Sequence, residues 1–162
     1  MFIAWKSGPE DRKRGNRSVA KISETPSGES RRFDLHELAR QLPEAAESML
    51  IDIRLTDEAA ASSRIFRIYK PVPAHFHRTC DEYLIVLSGR ARFQVGAEAP
   101  VELTPGQMQF FRRNIVHGFP EILEEPLVIL SVDTPRRDPS DVIFVDASSG
   151  NAHTFLQSIP GY

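Results

Sequence analysis

The sequence predicts an all-β barrel or sandwich led in by one short helix, and three observations carry that prediction. Short apolar or alternating segments recur at even spacing from residue 49 to residue 145. The breaks between them hold turn residues: Pro71 and Pro73, Ser88-Gly89, Gly96, Pro105-Gly106, Gly118 with Pro120, and Glu125-Pro126. No long helical period lies between the strands, which leaves a sandwich or a barrel.

Taken in order, residues 1–32 read as an N-terminal arm, because 6–32 are rich in Lys, Arg, Glu, Ser and Gly and hold little to bury. Within it, Ser18-Val19-Ala20-Lys21-Ile22 could add an edge strand to a partner. Leu35, Leu38, Ala39 and Leu42 then recur at helical spacing, with Asp34 as N-cap and Pro43 as the stop. Strands are expected at 49–55, 64–69, 82–87, 91–95, 101–103, 108–111 and 127–132. Asp141–Val145 returns as a last strand against the barrel wall. The barrel domain thus spans 33–147. Residues 148–162 form a tail without a period, and closing over the barrel mouth is one role open to residues 146–162.

The bulk composition narrows the function classes. With 162 residues, 41% of them hydrophobic and 26% charged, one domain can bury an ordinary core without disulfides or a structural metal. Net charge is −2 and the 20 Lys and Arg are scattered, so no nucleic-acid partner is expected. The run Arg12-Lys13-Arg14 with Arg17 reads as a solvated tail. Cys80 is the single cysteine, which excludes an internal disulfide and points to a reducing, cytoplasmic setting. Met1–Trp5 is apolar but stops at Lys6, too short for a secretory signal. No long apolar run follows, and no membrane partner is expected.

Three histidines and a carboxylate carry the chemistry. His75 and His77 are two apart, so on an extended segment both imidazoles leave the same face and can clamp one metal ion. Glu82 shares the inward parity of Leu84 and Val86, and a carboxylate buried there needs a cation or a proton. Asp81 falls on the opposite face. His117 lies beyond the Pro105-Gly106 turn. Cys80 sits between these groups and reads as a bystander rather than a thiolate ligand or redox switch. His36 and His153 have no partners at ligand spacing and read as surface residues.

These residues resemble the cupin superfamily. Its first motif, His-x-His, three or four residues, Glu, six residues, Gly, stands here as His75-Phe76-His77, Glu82 and Gly89. Its second, from a Pro-Gly turn to a histidine, stands as Pro105-Gly106 through Val116-His117-Gly118. The resemblance implies a double-stranded β-helix, a jelly-roll barrel, binding one divalent metal through His75, His77, Glu82 and His117. The second motif departs from the family pattern. Gln107 stands where Asp is usual, and Arg112 and Asn114 where Pro and Gly are usual. These changes touch turn geometry and not ligands, and Asn can supply the left-handed conformation of Gly. Val132–Pro139 running into Asp141–Val145 is also similar to the tail of many small stand-alone bacterial cupins. The resemblance further implies a homodimer, paired through edge strands or the N-terminal arm.

Arg67 and Tyr69 share the parity of His75 and His77 if Pro71 and Pro73 do not break the register. An inward Arg67 would bind a carboxylate or phosphate of a substrate, and the alternative is a rim ion pair. Gln109 and Phe111 are read as lining the same pocket, with Met108 and Phe110 facing away, unless the two faces are reversed. Three imidazoles and a carboxylate leave open positions on a six-coordinate Fe(II), Mn(II), Ni(II), Co(II) or Cu(II), and zinc is also served. A redox-active metal would make a dioxygenase, and a Lewis acid an isomerase or lyase. The expectation is a metal-dependent enzyme on a small polar organic molecule, with the dioxygenase ahead. The alternative is a non-catalytic small-molecule-binding or sensor module. No general acid or base can be named.

Overall fold

In the computed structural model, which describes residues 30–159, Asp34 caps a short helix α1, Leu35–Ala39, by accepting the Glu37 backbone N–H. The helix stops before Leu42. The N–H groups of Gln41 and Leu42 turn back to the carbonyls of Leu38 and Ala39, a tighter turn that carries Leu42 into the core. The expected strand at Ser18–Ile22, the basic run at 12–17 and Met1–Trp5 lie outside the described residues.

Among the described residues nine strands follow: β1 (Leu50–Glu58), β2 (Ala61–Ile68), β3 (Val72–Phe76), β4 (Asp81–Val95), β5 (Val101–Leu103), β6 (Met108–Phe111), β7 (His117–Thr134), β8 (Ile143–Phe144) and β9 (Leu156–Ser158). Two segments expected as separate strands, 82–87 and 91–95, are one strand. Gly89, at φ +75°, makes a bulge there rather than a chain reversal. The strand expected at 127–132 likewise extends back to His117. Pro126 lies between Glu124 and Val128, where the pairing with β4 skips, so its missing N–H costs the ladder nothing.

The sheet runs β5-β4-β7-β2-β1-β9, with β6 added on β4, β3 on β7 and β8 on β3. All pairs are antiparallel except β1 with β9. The long β4 and β7 bend the sheet into a barrel. β7 pairs with β3 at its start (Val72↔Phe119, His75↔His117) and with β2 at its end (Ser62↔Asp133 to Ile68↔Leu127). One apolar cluster, including Leu50, Phe66, Ile68, Leu84, Phe93, Phe119 and Ile129, fills the interior. A second, Ile51, Ile53, Leu55, Ile65 and Val128, lies on the outer face with Leu42 and the helix residues Leu35 and Leu38.

β1 is therefore buried on both faces. Its alternation marks two interiors: Ile51, Ile53 and Leu55 on the outer cluster, Leu50, Asp52 and Arg54 inside the barrel. The tail also joins the barrel. Asn151 caps α2 (Ala152–Phe155) and β9 pairs with β1. Phe155 between them is buried inside. No helix among the described residues is long and apolar enough to cross a membrane.

Two of these contacts can be tested directly. A Cβ at Gly89 would lie 2.5 Å from the Glu124 carbonyl oxygen and 2.7 Å from that of Pro126, whereas one at Gly96 (φ +57°) would meet nothing within 4 Å. Gly89→Ala will destabilise the fold beyond the roughly 1–3 kcal/mol of backbone strain alone, and Gly96→Ala by no more than that, measured by urea unfolding. Burial alone would push the Asp57 carboxyl up, but hydrogen bonds from Arg136 and Arg54 outweigh it and hold it below its ordinary value. Its contribution is therefore present above the unfolded-state value of about 3.9 and is lost as pH falls through the folded one. Asp57→Asn will lower the melting temperature near neutral pH and shrink the further loss of stability in acid.

Candidate metal centre

β3 and β7 lie side by side so that His75 pairs with His117, and His77 follows at the end of β3. All three imidazoles are buried. The loop after His77 is held by Asp141, whose carboxylate accepts the backbone N–H groups of Arg78 and Thr79 and the Thr79 hydroxyl. From the other side, Asn114 donates its N–H to the His77 carbonyl at 2.7 Å. Asn114 sits at φ +66°, the left-handed conformation expected of it from the sequence. Gln107 closes its turn by accepting the Thr104 N–H at 2.9 Å and the Thr104 hydroxyl at 3.2 Å.

Each imidazole is oriented in the same way. His75 Nδ1 meets the Pro73 carbonyl and His117 Nδ1 the Ile115 carbonyl, both at 2.9 Å, and His77 Nδ1 meets the Asp141 carbonyl. A carbonyl can only accept, so each Nδ1 carries the proton and each Nε2 presents its lone pair. One ligand atom from each of the three histidines lies within 4.8 Å of the others. Phe111 stacks on His117 with ring centroids 4.1 Å apart.

Glu82 faces this group from β4. Its Oε2 lies 3.5 Å from Nε2 of both His77 and His117. Two ligands each about 2.1 Å from one ion stand roughly 3.0–3.4 Å apart at octahedral or tetrahedral angles, close to this spacing. The buried Nε2 atoms of His77 and His117 have no hydrogen-bond partner. Burial, with His117 and His77 alongside, drives His75 well below its ordinary value. Burial would lower His77 too, but Glu82 outweighs it and raises that group. Burial would raise Glu82, yet the contacts with His117 and His77 and the charge of Arg64 hold it well below the carboxylate range. Converging lone pairs beside an ionised carboxylate are the donor set that a divalent ion takes, so the residues fit a metal.

The other oxygen of Glu82 is held from behind. Arg64 Nη2 and the Ser131 hydroxyl both donate to Oε1, at 3.2 and 3.1 Å. Arg64 also faces Asp133 at 3.8 Å and Asp52 at 3.9 Å, and Arg137 faces Asp133 at 3.6 Å. Burial would lower the Arg64 guanidinium, but Asp133, Glu82 and Asp52 raise it. Burial pushes Asp133 up to about 6, against the pull of Arg64. None of Asp52, Arg64, Asp133 and Arg137 was read from the sequence as part of the site. Asp52 and Arg64 stand at the polar positions of alternating strands, which ordinarily face solvent.

Arg67 and Tyr69 lie elsewhere. Both donate to the Pro43 carbonyl, at 3.1 and 2.7 Å, on the outer face, and Arg67 also faces Glu125 at 3.9 Å. The alternation of β2 turns Arg64 and Phe66 inward instead, and the register shift between Val72 and His75 breaks the parity carried across the prolines. Phe111 is at the site, whereas half-buried Gln109 donates to the Phe110 carbonyl. Met108 and Phe110 face away and are exposed. Asp81 pairs with Arg113. Burial raises the Cys80 thiol far above its ordinary value, with Asp133 and Glu82 adding to it. His36 and His153 are exposed.

Residues 67–133 match the family model of the cupin domain. A conserved protein with a double-stranded β-helix domain from Klebsiella pneumoniae superposes at TM-score 0.57 and 21% identity, over 67% of this chain and 93% of that one. The protein TT1209 from Thermus thermophilus gives 0.55 and 25%, over 65% and 97%. KdgF from Halomonas sp. gives 0.52 and 18%, over 56% and 82%. The stretch from 67 to 133 is a cupin domain, and the barrel around it is the double-stranded β-helix of that class. No curated protein matches the sequence.

The donor set predicts that His77→Ala or His117→Ala will weaken divalent-metal binding by more than about 100-fold, beyond the loss typical of residues that only orient a ligand. Elemental analysis and calorimetric titration check it. Cys80 will react negligibly with a thiol-specific reagent in the folded protein and fully in denaturant, because burial keeps it a thiol.

Proposed function

We propose that this chain is a metal-dependent enzyme acting on a small organic molecule, with oxygen chemistry of the dioxygenase type the favoured form. The observation that carries it is the convergence of three proton-fixed imidazoles on a point inside the barrel, with one oxygen of Glu82 3.5 Å from Nε2 of both His77 and His117. A redox-active ion held there would supply activation of O₂ and of a chelating substrate.

The chain's own groups do the rest. The backbone carbonyls of Pro73, Asp141 and Ile115 hold the imidazoles to one tautomer. Arg64 and Ser131 take one oxygen of Glu82 and turn the other toward the histidines. The cavity wall of Leu50, Phe66, Val72, Leu84, Phe119 and Phe155 keeps bulk water away. Besides the candidate ligands, Arg64 is the only ionisable side chain among the described residues of that wall. An isomerase or lyase needs a side chain that takes and returns a proton, and a guanidinium is a poor one. Oxygen chemistry makes no such demand on the wall, which supports the dioxygenase form over the Lewis-acid form.

A non-catalytic binding module is the second reading, favoured by how tightly Phe155 closes the cavity over His75, with ring centroids 5.1 Å apart. The test joins metal analysis of protein purified without chelator or histidine tag to an O₂-uptake screen of catechols, thiols and diketones. Iron or copper near one per chain, with O₂ uptake that disappears in His75→Ala, supports the enzyme. Metal binding with ligand binding but no turnover under air turns the assignment to the binding module. A homodimer also remains part of the proposal, and a monomeric mass by light scattering would remove it.

A further inference from the structure

The cavity beside the histidines is too small for an organic molecule as it stands. Its free interior is about 10 Å³, room for one water. His75, His77 and His117 are each 2% exposed. A ligand larger than water reaches them only if part of the wall moves.

One part of the wall is free to do so. Apart from Phe155, every lining residue stands on β1, β2, β3, β4 or β7, so displacing it breaks pairing with neighbouring strands. Phe155 stands on α2, which is four residues long. The strap that carries it begins after β8, where Val145 donates its N–H to the Ala74 carbonyl at 3.0 Å. From there to residue 159, Phe155 is the one buried residue. Past Phe155, three residues of β9 pair with β1. On either side of that pairing, Met49 donates its N–H to the Thr154 carbonyl at 2.9 Å and Ile159 to the Asp52 carbonyl at 3.0 Å.

The bonds that shape the strap in between are its own. Asp146 accepts from Ser148 and Ser149, and Asn151 caps α2, so these survive when the strap shifts as a unit. A segment with one buried anchor and a short edge pairing opens at lower cost than the barrel beneath it. The Phe155 ring stands 5.1 Å from that of His75, so its release uncovers the histidines.

We propose that residues 146–159 are a gate: β9 parts from β1, α2 lifts, and Phe155 leaves the cavity to give a small molecule its way to His75. This rests on reading the cavity as a ligand site.

The test uses the full chain freed of metal by a chelator. Amide exchange is followed at Met49 and Ile159, which tie the strap, and at Tyr69, whose N–H bonds the Met49 carbonyl within the barrel. Met49 and Ile159 are expected to share one protection, lower than that of Tyr69 by about tenfold or more. Carbethoxylation of His75 by diethyl pyrocarbonate, located by peptide mass, detects opening from inside. Phe155→Leu is expected to speed it by about tenfold or more, with the reaction of exposed His36 unchanged. Phe119→Leu makes the same change in the same cavity on a fixed strand, at a residue that is likewise 3% exposed, and is expected to speed it far less. Equal acceleration by the two variants reduces the effect to loosened packing and overturns the gate. Met49 and Ile159 amides as protected as that of Tyr69 in the parent chain overturn it without any variant. Neither readout involves a metal, so failure of the gate is a separate result from failure of the metal reading.

Discussion

The two oxygens of Glu82 face opposite ways, and the interior of the barrel is arranged around that division. Oε1 is held by Arg64 and Ser131, and Oε2 looks at His77 and His117. A carboxylate at this depth would otherwise be a severe cost, since its ionised form loses its water. Arg64 cannot be spared from one side nor the histidines from the other, because removing one partner of a buried charge strands the rest. The group also explains the inward Asp52 and Asp133, which face the guanidinium that anchors Glu82, and Arg137, which faces Asp133.

The long strands make this arrangement possible. β4 carries Glu82 at its start and Phe93 in the middle of the apolar core. β7 opens with His117 and closes near Asp133, so it contributes to both the imidazole side and the guanidinium side of the carboxylate. Neither strand could turn from one wall to the other without its pairing skips, and Gly89 provides one of them at a point where a side chain has no room. Close approach is equally needed at Gly118, next to His117. A Cβ there would lie 2.8 Å from the Val72 carbonyl oxygen. The glycine lets β7 press against β3 and brings His117 beside His75.

The C-terminal segment completes the site from outside the main run of strands. Phe155 packs on His75 and Phe144, and its burial ties the end of the described chain to the wall that β3 and β8 form. Residues that look like an appendage along the chain thus set how much space the histidines have around them.

The class of fold was legible in the residues alone, because turn residues and two-residue alternation are local properties. The metal-site candidates were legible too. His75 and His77 share a face through the strand period, and Glu82 is inward by its parity with Leu84 and Val86. Asn114 could likewise be read as a left-handed turn residue from its own chemistry. Which polar alternations face solvent and which face a second interior depended on the packing of distant strands. Asp52 and Arg64 look like ordinary outward residues until β1 and β2 are seen to be buried on both sides. Arg67 and Tyr69 look inward until a register shift between Val72 and His75 cuts the parity they were counted through. Period fixes the relation between neighbours on one strand. Which side is in, and whether a bulge interrupts the count, depends on partners far away along the chain.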